Sequence, residues 1–473
     1  MRRAAFLSVL AASLLAASPA EAHGLTARGD VPIPVWLAGW AAGVALAFSF
    51  VALAALWPRA RLSDAAWTPI SRGLGRVLTS TAVDVACGAT SIALLVLTAY
   101  AGLAGTDDPA LNFTPTFIYV GFWVGLVPIS VVFGDVFRPF NPWRALARAT
   151  AFVARRISGE LPAPYPYPRR LGRWPAALGL FGFAWLELIA EDGQVPSAIA
   201  LAVTIYSAIT LLAMAVFGID AWIDRGEAFS VYFNLFSRLS PLVIRDRVLG
   251  RRRFLSGVAA LETLPGTAAT LAVMLGSVTF DGAAEGRFWE HRQLDLMNAF
   301  TSRGSDLSTA LQGAAAIGLV VSIALVALFY RGGILGAELI AGQRRQQLAN
   351  GFAHSLVPIA FAYVMAHYVS FLVFNGQMLP SLLSDPLGKG RFDWLGLAGQ
   401  QIDYSVLTAN TTWYLQIAVV ITGHVLALML AHDRALVLGT GKVGEAVRSQ
   451  GFMLVIMVGF TSLALWLLSQ ANG

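Results

Sequence analysis

Apolar runs of about twenty residues recur along this chain, separated by short segments rich in arginine, proline and glycine. A run of that length suits a bilayer, because about 20 helical residues at ~1.5 Å each cover the hydrocarbon core. Ten such runs are present, at 34–57, 83–103, 114–137, 174–190, 196–218, 258–280, 309–330, 352–374, 412–432 and 452–469. The pattern predicts an all-α integral membrane protein with about ten transmembrane helices. Composition agrees: 57% of the 473 residues are hydrophobic and 13% are charged, which places the chain outside the range of soluble domains.

The first residues follow a different plan. Arg2 and Arg3 precede an apolar stretch, Ala4–Ala17, that is short for a span, and Ala20-Glu21-Ala22 forms an A-x-A site. That is the layout of a cleaved secretory signal over 1–22, leaving 23–473 as one polytopic helical membrane domain. The mature chain then begins at His23, outside the cytoplasm, where an amine and an imidazole together suit a metal such as copper.

Charge orients the spans. Lys and Arg concentrate in cytoplasmic loops of membrane proteins. Loops 58–82, 138–173 and 219–257 carry most of the basic residues, among them Arg59, Arg61, Arg138, Arg144, Arg173, Arg238 and Arg251 to Arg253. The intervening loops carry few: Arg287, Arg292, Arg303, Lys389 and Arg391. The bias puts the mature N-terminus and the C-terminus both outside, in the bacterial cytoplasmic (inner) membrane. The net charge of +6 is therefore a topological signal and not a nucleic-acid footprint, and the expected partner is the lipid bilayer. Cys87 is the only cysteine, which excludes intramolecular disulfides and thiolate-rich metal sites.

Some connecting segments are more than linkers. Ala228–Leu242 mixes aromatic and polar residues after Asp220, Asp224 and Glu227; it reads either as an amphipathic helix along the interface or as a segment re-entering among the helices. In Phe137–Leu146, two prolines are expected to stop the third span and turn the chain along the membrane face, with Trp143 as an interfacial anchor. The outer segments 281–308 and 375–411 are expected to cap the bundle.

Four of the six histidines fall in spans eight and nine. His354 and His367 lie in the eighth, with Pro358 between them; a proline cannot donate to the carbonyl four residues back, here that of His354. His424 and His432 lie in the ninth. Polar groups inside a bilayer are costly and usually face an internal site, so His367, His424 and His354 are the candidate metal ligands or proton carriers. A regular helix places His354 and His367 about 140° apart, so both cannot face one neighbour. The competing reading is a histidine hydrogen-bonded across a helix interface. Asp84, Asp135, Glu187 and Asp281 sit near span ends, where headgroup exposure is the ordinary expectation. No phosphate-binding loop, G-x-S-x-G elbow, H-E-x-x-H or dinucleotide fingerprint is present.

Several stretches resemble a family of bacterial polytopic membrane proteins named fenitrothion hydrolase. They include Ala22–Leu37, FGDVFRPFNPWRA (Phe133–Ala145), FSVYFNLFSRLSPL (Phe229–Leu242), GSVTFDG (Gly276–Gly282), HSLVPIAFAYVMAHY (His354–Tyr368), QIDYSV (Gln401–Val406) and GHVLALMLAHDRA (Gly423–Ala435). The resemblance implies hydrolysis of a P–O–aryl bond in a small hydrophobic organophosphorus triester. Such an enzyme is expected to use a divalent metal to activate water, with His367, His424 and His354 as ligands and Asp403 managing protons. The alternatives are a transporter or metal- or haem-handling protein using the same histidines, and a membrane assembly protein with a partner subunit.

Overall fold

A computed structural model describes residues 35–62, 67–341, 351–438 and 443–472. The signal segment and His23 lie outside the described residues. The longer helices are α1 (Val35–Leu56), α2 (Thr81–Ala104), α3 (Phe113–Phe133), α4 (Pro142–Ser158), α5 (Trp174–Leu188), α6 (Pro196–Phe217), α7 (Ala228–Ser237), α8 (Thr267–Ala284), α9 (Arg287–Thr301), α10 (Leu307–Ala341), α11 (Leu356–Asn375), α12 (Ala409–Leu438) and α13 (Val443–Asn472). Among the described residues, nine helices are long and apolar enough to cross a membrane. The tenth expected span, α5, has 15 residues, or ~22 Å of helix. It falls short of a full span because Pro175 opens it and the chain turns at Ile189, yet it still joins the two faces of the bundle.

Those faces are defined by contacts between connecting segments. On one, β1 (Trp67–Ser71), β2 (Leu242–Arg245) and β3 (Val248–Arg252) form an antiparallel sheet ordered β1-β3-β2. Arg138 there bonds Asp224 at 2.5 Å, and Arg144 and Arg148 reach Asp84 at 2.8 and 2.9 Å. On the opposite face Thr106 donates to the Leu387 carbonyl, Lys389 to that of Ala104, and Ser308 to Glu191. Successive spans alternate between an arginine-rich face and an arginine-poor one, as the charge pattern predicted. Asp84 is thus paired with arginines and not merely exposed to headgroups.

The interior belongs to α8 and α11. Their buried shares are 78% and 67%, against at most 44% in any other span. Small residues permit the close approach: a Cβ on Gly276 would lie 2.5 Å from Ile323 of α10, and one on Gly423 of α12 would lie 2.3 Å from the Ala362 Cβ and 2.8 Å from the Pro358 carbonyl of α11. So α12 is a partner of α11, with Gly423 set against the proline turn. The eighth span starts with a tight 3-10 turn, Ala353–Ser355, before α11 proper. That irregularity removes the regular 100° step on which the expected angle between His354 and His367 rested.

Two further irregularities lie inside the bundle. Residues Phe117–Val124 of α3 form widened π-helical turns, closed by the Gly125 amide donating to the Val120 carbonyl at 2.8 Å. Pro115 and Pro128 bracket this stretch, each lacking an N–H for the regular ladder. The short helix α7 is almost wholly buried; of the two readings of this segment, re-entry among the helices is the one observed. Glu227 makes that burial possible. Its carboxylate accepts from the amides of Phe229 and Ser230 (3.0 and 2.7 Å), from Asn141 (3.0 Å) and from the Tyr206 hydroxyl (2.5 Å), capping the helix where its first amides need acceptors. Trp143 is no interfacial anchor: it is buried, donates to Ser207 at 2.8 Å and packs on Tyr206 and Phe229. Pro142 opens α4 and does not end a span.

Candidate functional site

The ionisable groups inside the bundle converge where α8 and α11 meet. Asp281 of α8 receives two contacts on one oxygen, Oδ2: His367 Nε2 at 2.9 Å and the Tyr368 hydroxyl, donating, at 2.5 Å. The side chains of His367 and Asp281 are 9% and 4% exposed, so the pair is screened from water. His367 and Tyr368 are neighbours in sequence and point about 100° apart; both reach Asp281 because α8 lies in the angle between them. Their rings meet edge to face at 4.5 Å. Tyr368 also packs on Trp123, in the widened part of α3, at 5.0 Å. Glu187 of α5 acts electrostatically on Tyr119, Tyr232 and Tyr368, bringing a second carboxyl group to the same region. Tyr119 donates to the Gly193 carbonyl at 2.6 Å, tying α3 to the end of α5.

The arrangement suits proton transfer. A carboxylate in low dielectric requires a compensating charge or donor, and Asp281 has an imidazole and a phenol in direct contact. One proton moved onto or off this group changes its net charge where water is scarce. A cavity of about 20 Å³ borders His367, lined by Val278, Gly282, Tyr363, Ala366 and Leu467. That is room for about one water molecule.

The other expected residues fall elsewhere. His424 is fully buried; its Nδ1 contacts the Val420 carbonyl at 2.8 Å, and Nε2 has no hydrogen-bond partner among the described residues. It borders a second cavity of about 60 Å³ with Leu275, Phe329, Tyr330 and Met457. Tyr363 lines the first cavity, and its ring lies 6.2 Å from that of His424, which borders the second. His354 is buried near the carbonyls of Gly351 and Leu430, without a well-formed bond from either ring nitrogen. His432 is buried as well and bridges Gln450 (3.3 Å) and the Trp57 carbonyl (3.2 Å), so it joins helices and does not reach headgroups. Its neighbour Asp433 accepts from the Trp57 indole and the Leu62 amide at 3.0 and 3.1 Å. Asp403 is exposed. It caps the turn Tyr404–Val406 by accepting from the Ser405 amide (2.8 Å) and hydroxyl (2.6 Å), bonds that hold its carboxyl below the usual range. Among the described residues, no three His, Cys, Asp or Glu side chains gather as a metal-ligand set.

The partner of His367 was missed by taking the acids singly. Asp281 and His367 each lie toward the same end of their spans, so matching depths on two helices that run in the same direction is the signal that pairs them. The fold and this centre define a polytopic α-helical membrane protein with a buried carboxylate–imidazole–phenol group. Comparison with protein-family models, with curated proteins and with solved structures returns no match.

Proposed function

We propose that this chain is a hydrolase of hydrophobic organophosphorus triesters, seated in the bacterial cytoplasmic membrane and working through Asp281, His367 and Tyr368. The observation that carries the reading is the 2.9 Å contact between His367 and Asp281 beside a cavity of water size and apolar lining. The resemblance to the fenitrothion hydrolase family supplies the substrate class. The arginine-rich face is taken as cytoplasmic, with residues 1–22 as a cleaved signal and both termini outside. His367 and Tyr368 then lie toward the outer side.

In this reading His367, oriented by Asp281, takes a proton from water as the water oxygen attacks phosphorus. The P–O–aryl bond breaks, its electron pair leaving on the aryl oxygen, and the proton held by His367 neutralises the phenolate. A triester partitions into the bilayer and reaches such a centre from the lipid, which favours apolar lining. A metal-assisted version would draw on His367, His424 and His354, but these border different parts of the interior, and the general-base version needs no such gathering. The test is turnover of an aryl phosphotriester by purified protein in lipid nanodiscs. Release of the phenol, lost in His367→Gln, is expected; no turnover above lipid alone overturns the reading.

A second reading rests on the broken helices. The π-helical turns of α3 and the buried α7 are irregular backbone at membrane depth, which is tolerated where it is enclosed in protein or lines a path. They favour a proton-coupled carrier using the same Asp281–His367 group. Proton currents in proteoliposomes that vanish in Asp281→Asn, with no triester turnover, would select it.

A further inference from the structure

A larger cavity lies elsewhere, on the arginine-rich face, with a volume of about 300 Å³. The turn before α4, the residue preceding α5, helix α7 and the segment leading into α8 all contribute to its wall. Arg138, Arg173, Arg225 and Arg238 border it, together with Asp135, Asp224 and Glu262. The charges are unevenly paired. Asp224 bonds Arg138 at 2.5 Å. Asp135 is held by Asn234 at 3.0 Å, and burial raises its carboxyl toward the neutral form. Among the described residues, no carboxylate lies within 4.0 Å of Arg173 or Arg238.

Arg173 is only 5% exposed. One of its terminal nitrogens donates to the Glu262 carbonyl and to Thr267, at 3.1 and 3.0 Å, but its Nε has no partner among the described residues. It is also fixed in place. The flanking Gly172 and the facing Gly266 have φ of +46° and +83°, and a Cβ on Gly172 would lie 2.2 Å from the Pro265 carbonyl. The Arg173 amide donates to that carbonyl at 2.7 Å. Arg238 is held by Asn234 at 3.3 Å. Burial and the nearby charge of Arg238 push the Arg173 guanidinium down to about 10. Arg173 is buried and Arg238 half-buried; Asp224 and Glu262 act on both from beyond ion-pair distance, so among the described residues neither cation has a carboxylate in contact, and a bound anion satisfies that arrangement.

We propose that this cavity is a binding site for a phosphate-type anion, held between Arg173 and Arg238. A guanidinium presents paired donors that match phosphate oxygens, and the cavity leaves space for an organic group attached to the phosphate. Free phosphate compounds and the headgroup of an anionic phospholipid share this chemistry. The site involves none of the residues assigned to hydrolysis and does not depend on that reading.

The experiment uses purified full-length protein in two arms. In detergent at fixed ionic strength, inorganic phosphate is titrated against chloride and read by calorimetry and melting temperature. In phosphatidylcholine nanodiscs with or without phosphatidic acid, retained lipid is measured by native mass spectrometry. Saturable binding in either arm is expected, weakened at least tenfold in Arg238→Gln and unchanged in Arg155→Gln, on the exposed end of α4. Binding only in the second arm assigns a lipid headgroup; binding in the first assigns a soluble phosphate. Arg238→Lys, which keeps the charge, guards against loss of folding and is expected to retain part of the affinity. Absence of binding in both arms, or binding indifferent to Arg238→Gln, overturns the proposal.

Discussion

Two polar regions of this molecule differ in how their buried groups are matched. Between α8 and α11, Asp281 is met by His367 and Tyr368 at hydrogen-bond distance. On the arginine-rich face, buried Arg173 and half-buried Arg238 have no carboxylate among the described residues within ion-pair distance. The first region is complete within the chain and suits a proton as its changing component. The second has a surplus of positive charge that a ligand would remove. Burial of a charge is thus not in itself a sign of catalysis; what differs is whether the protein supplies the counter-group.

The largest effect is expected from breaking the complete region. Asp281→Asn keeps the shape but removes the charge that orients His367, and turnover should fall by about 10²-fold or more, the usual scale of general-base assistance. A steady-state assay in nanodiscs, with melting temperature as the control for folding, measures it. Unchanged turnover would detach the dyad from the chemistry.

Gly423→Val acts on packing beneath the same region. Its side chain would overlap Ala362 and the Pro358 carbonyl, and overpacking of this kind costs about 1–3 kcal/mol. A lower melting temperature is expected, with activity lost in proportion to folded protein.

Glu227 sharpens the comparison, because it is a buried carboxyl with full hydrogen bonding that belongs neither to the Asp281 group nor to the Arg173–Arg238 pair. Burial raises it above its ordinary value of 4.5 against the lowering effect of its donors. The folded state therefore holds the proton to higher pH than the unfolded chain. Its contribution to stability is fully present below the ordinary value and is lost as pH rises through the raised one. Glu227→Gln should remove that decline, so the difference in melting temperature between wild type and variant should change across weakly acid pH. Glu227→Ala loses the cap as well, at a typical cost of ~1 kcal/mol, and should be the less stable variant at every pH.

The smallest effect is expected at Asp403. Asp403→Asn alters an exposed turn cap and should leave turnover within about twofold, since exposed polar substitutions rarely exceed ±0.5 kcal/mol. A large loss would move the chemistry to the outer loops.

The span pattern was legible because lipid imposes length and hydropathy on each helix independently, and arginine placement carried the alternation of faces. Trp174–Leu188 departed from it because proline and a turn shorten a helix without changing its apolar character. His367 stood out as an imidazole deep in a span, but Asp281 did not, since adjacency of the sixth and eighth spans is a property of the packed bundle. Trp143 and Glu227 were opaque for the same reason: both lie next to loops in sequence, and the re-entry of α7 encloses them. The Arg173–Arg238 cavity was hidden within the very bias that fixed the topology, because an arginine that orients a loop and one that waits for an anion look alike in sequence.

The small sheet has a consequence in time. Its first strand, Trp67–Ser71, finds its partner only in Val248–Arg252, roughly 180 residues later. At the usual ~5–20 residues per second of synthesis, that strand is made about ten to forty seconds before anything can pair with it. The third strand of the set arrives beside its partner as a hairpin, ready-made. The second span meets its partners α4 and α6 before the hairpin is made, while the strand that precedes it stays unpaired until then. Closure of the sheet by the arginine-bearing hairpin fastens the segment between the first two spans to the middle of the chain, and the first span meets α12 and α13 only later still.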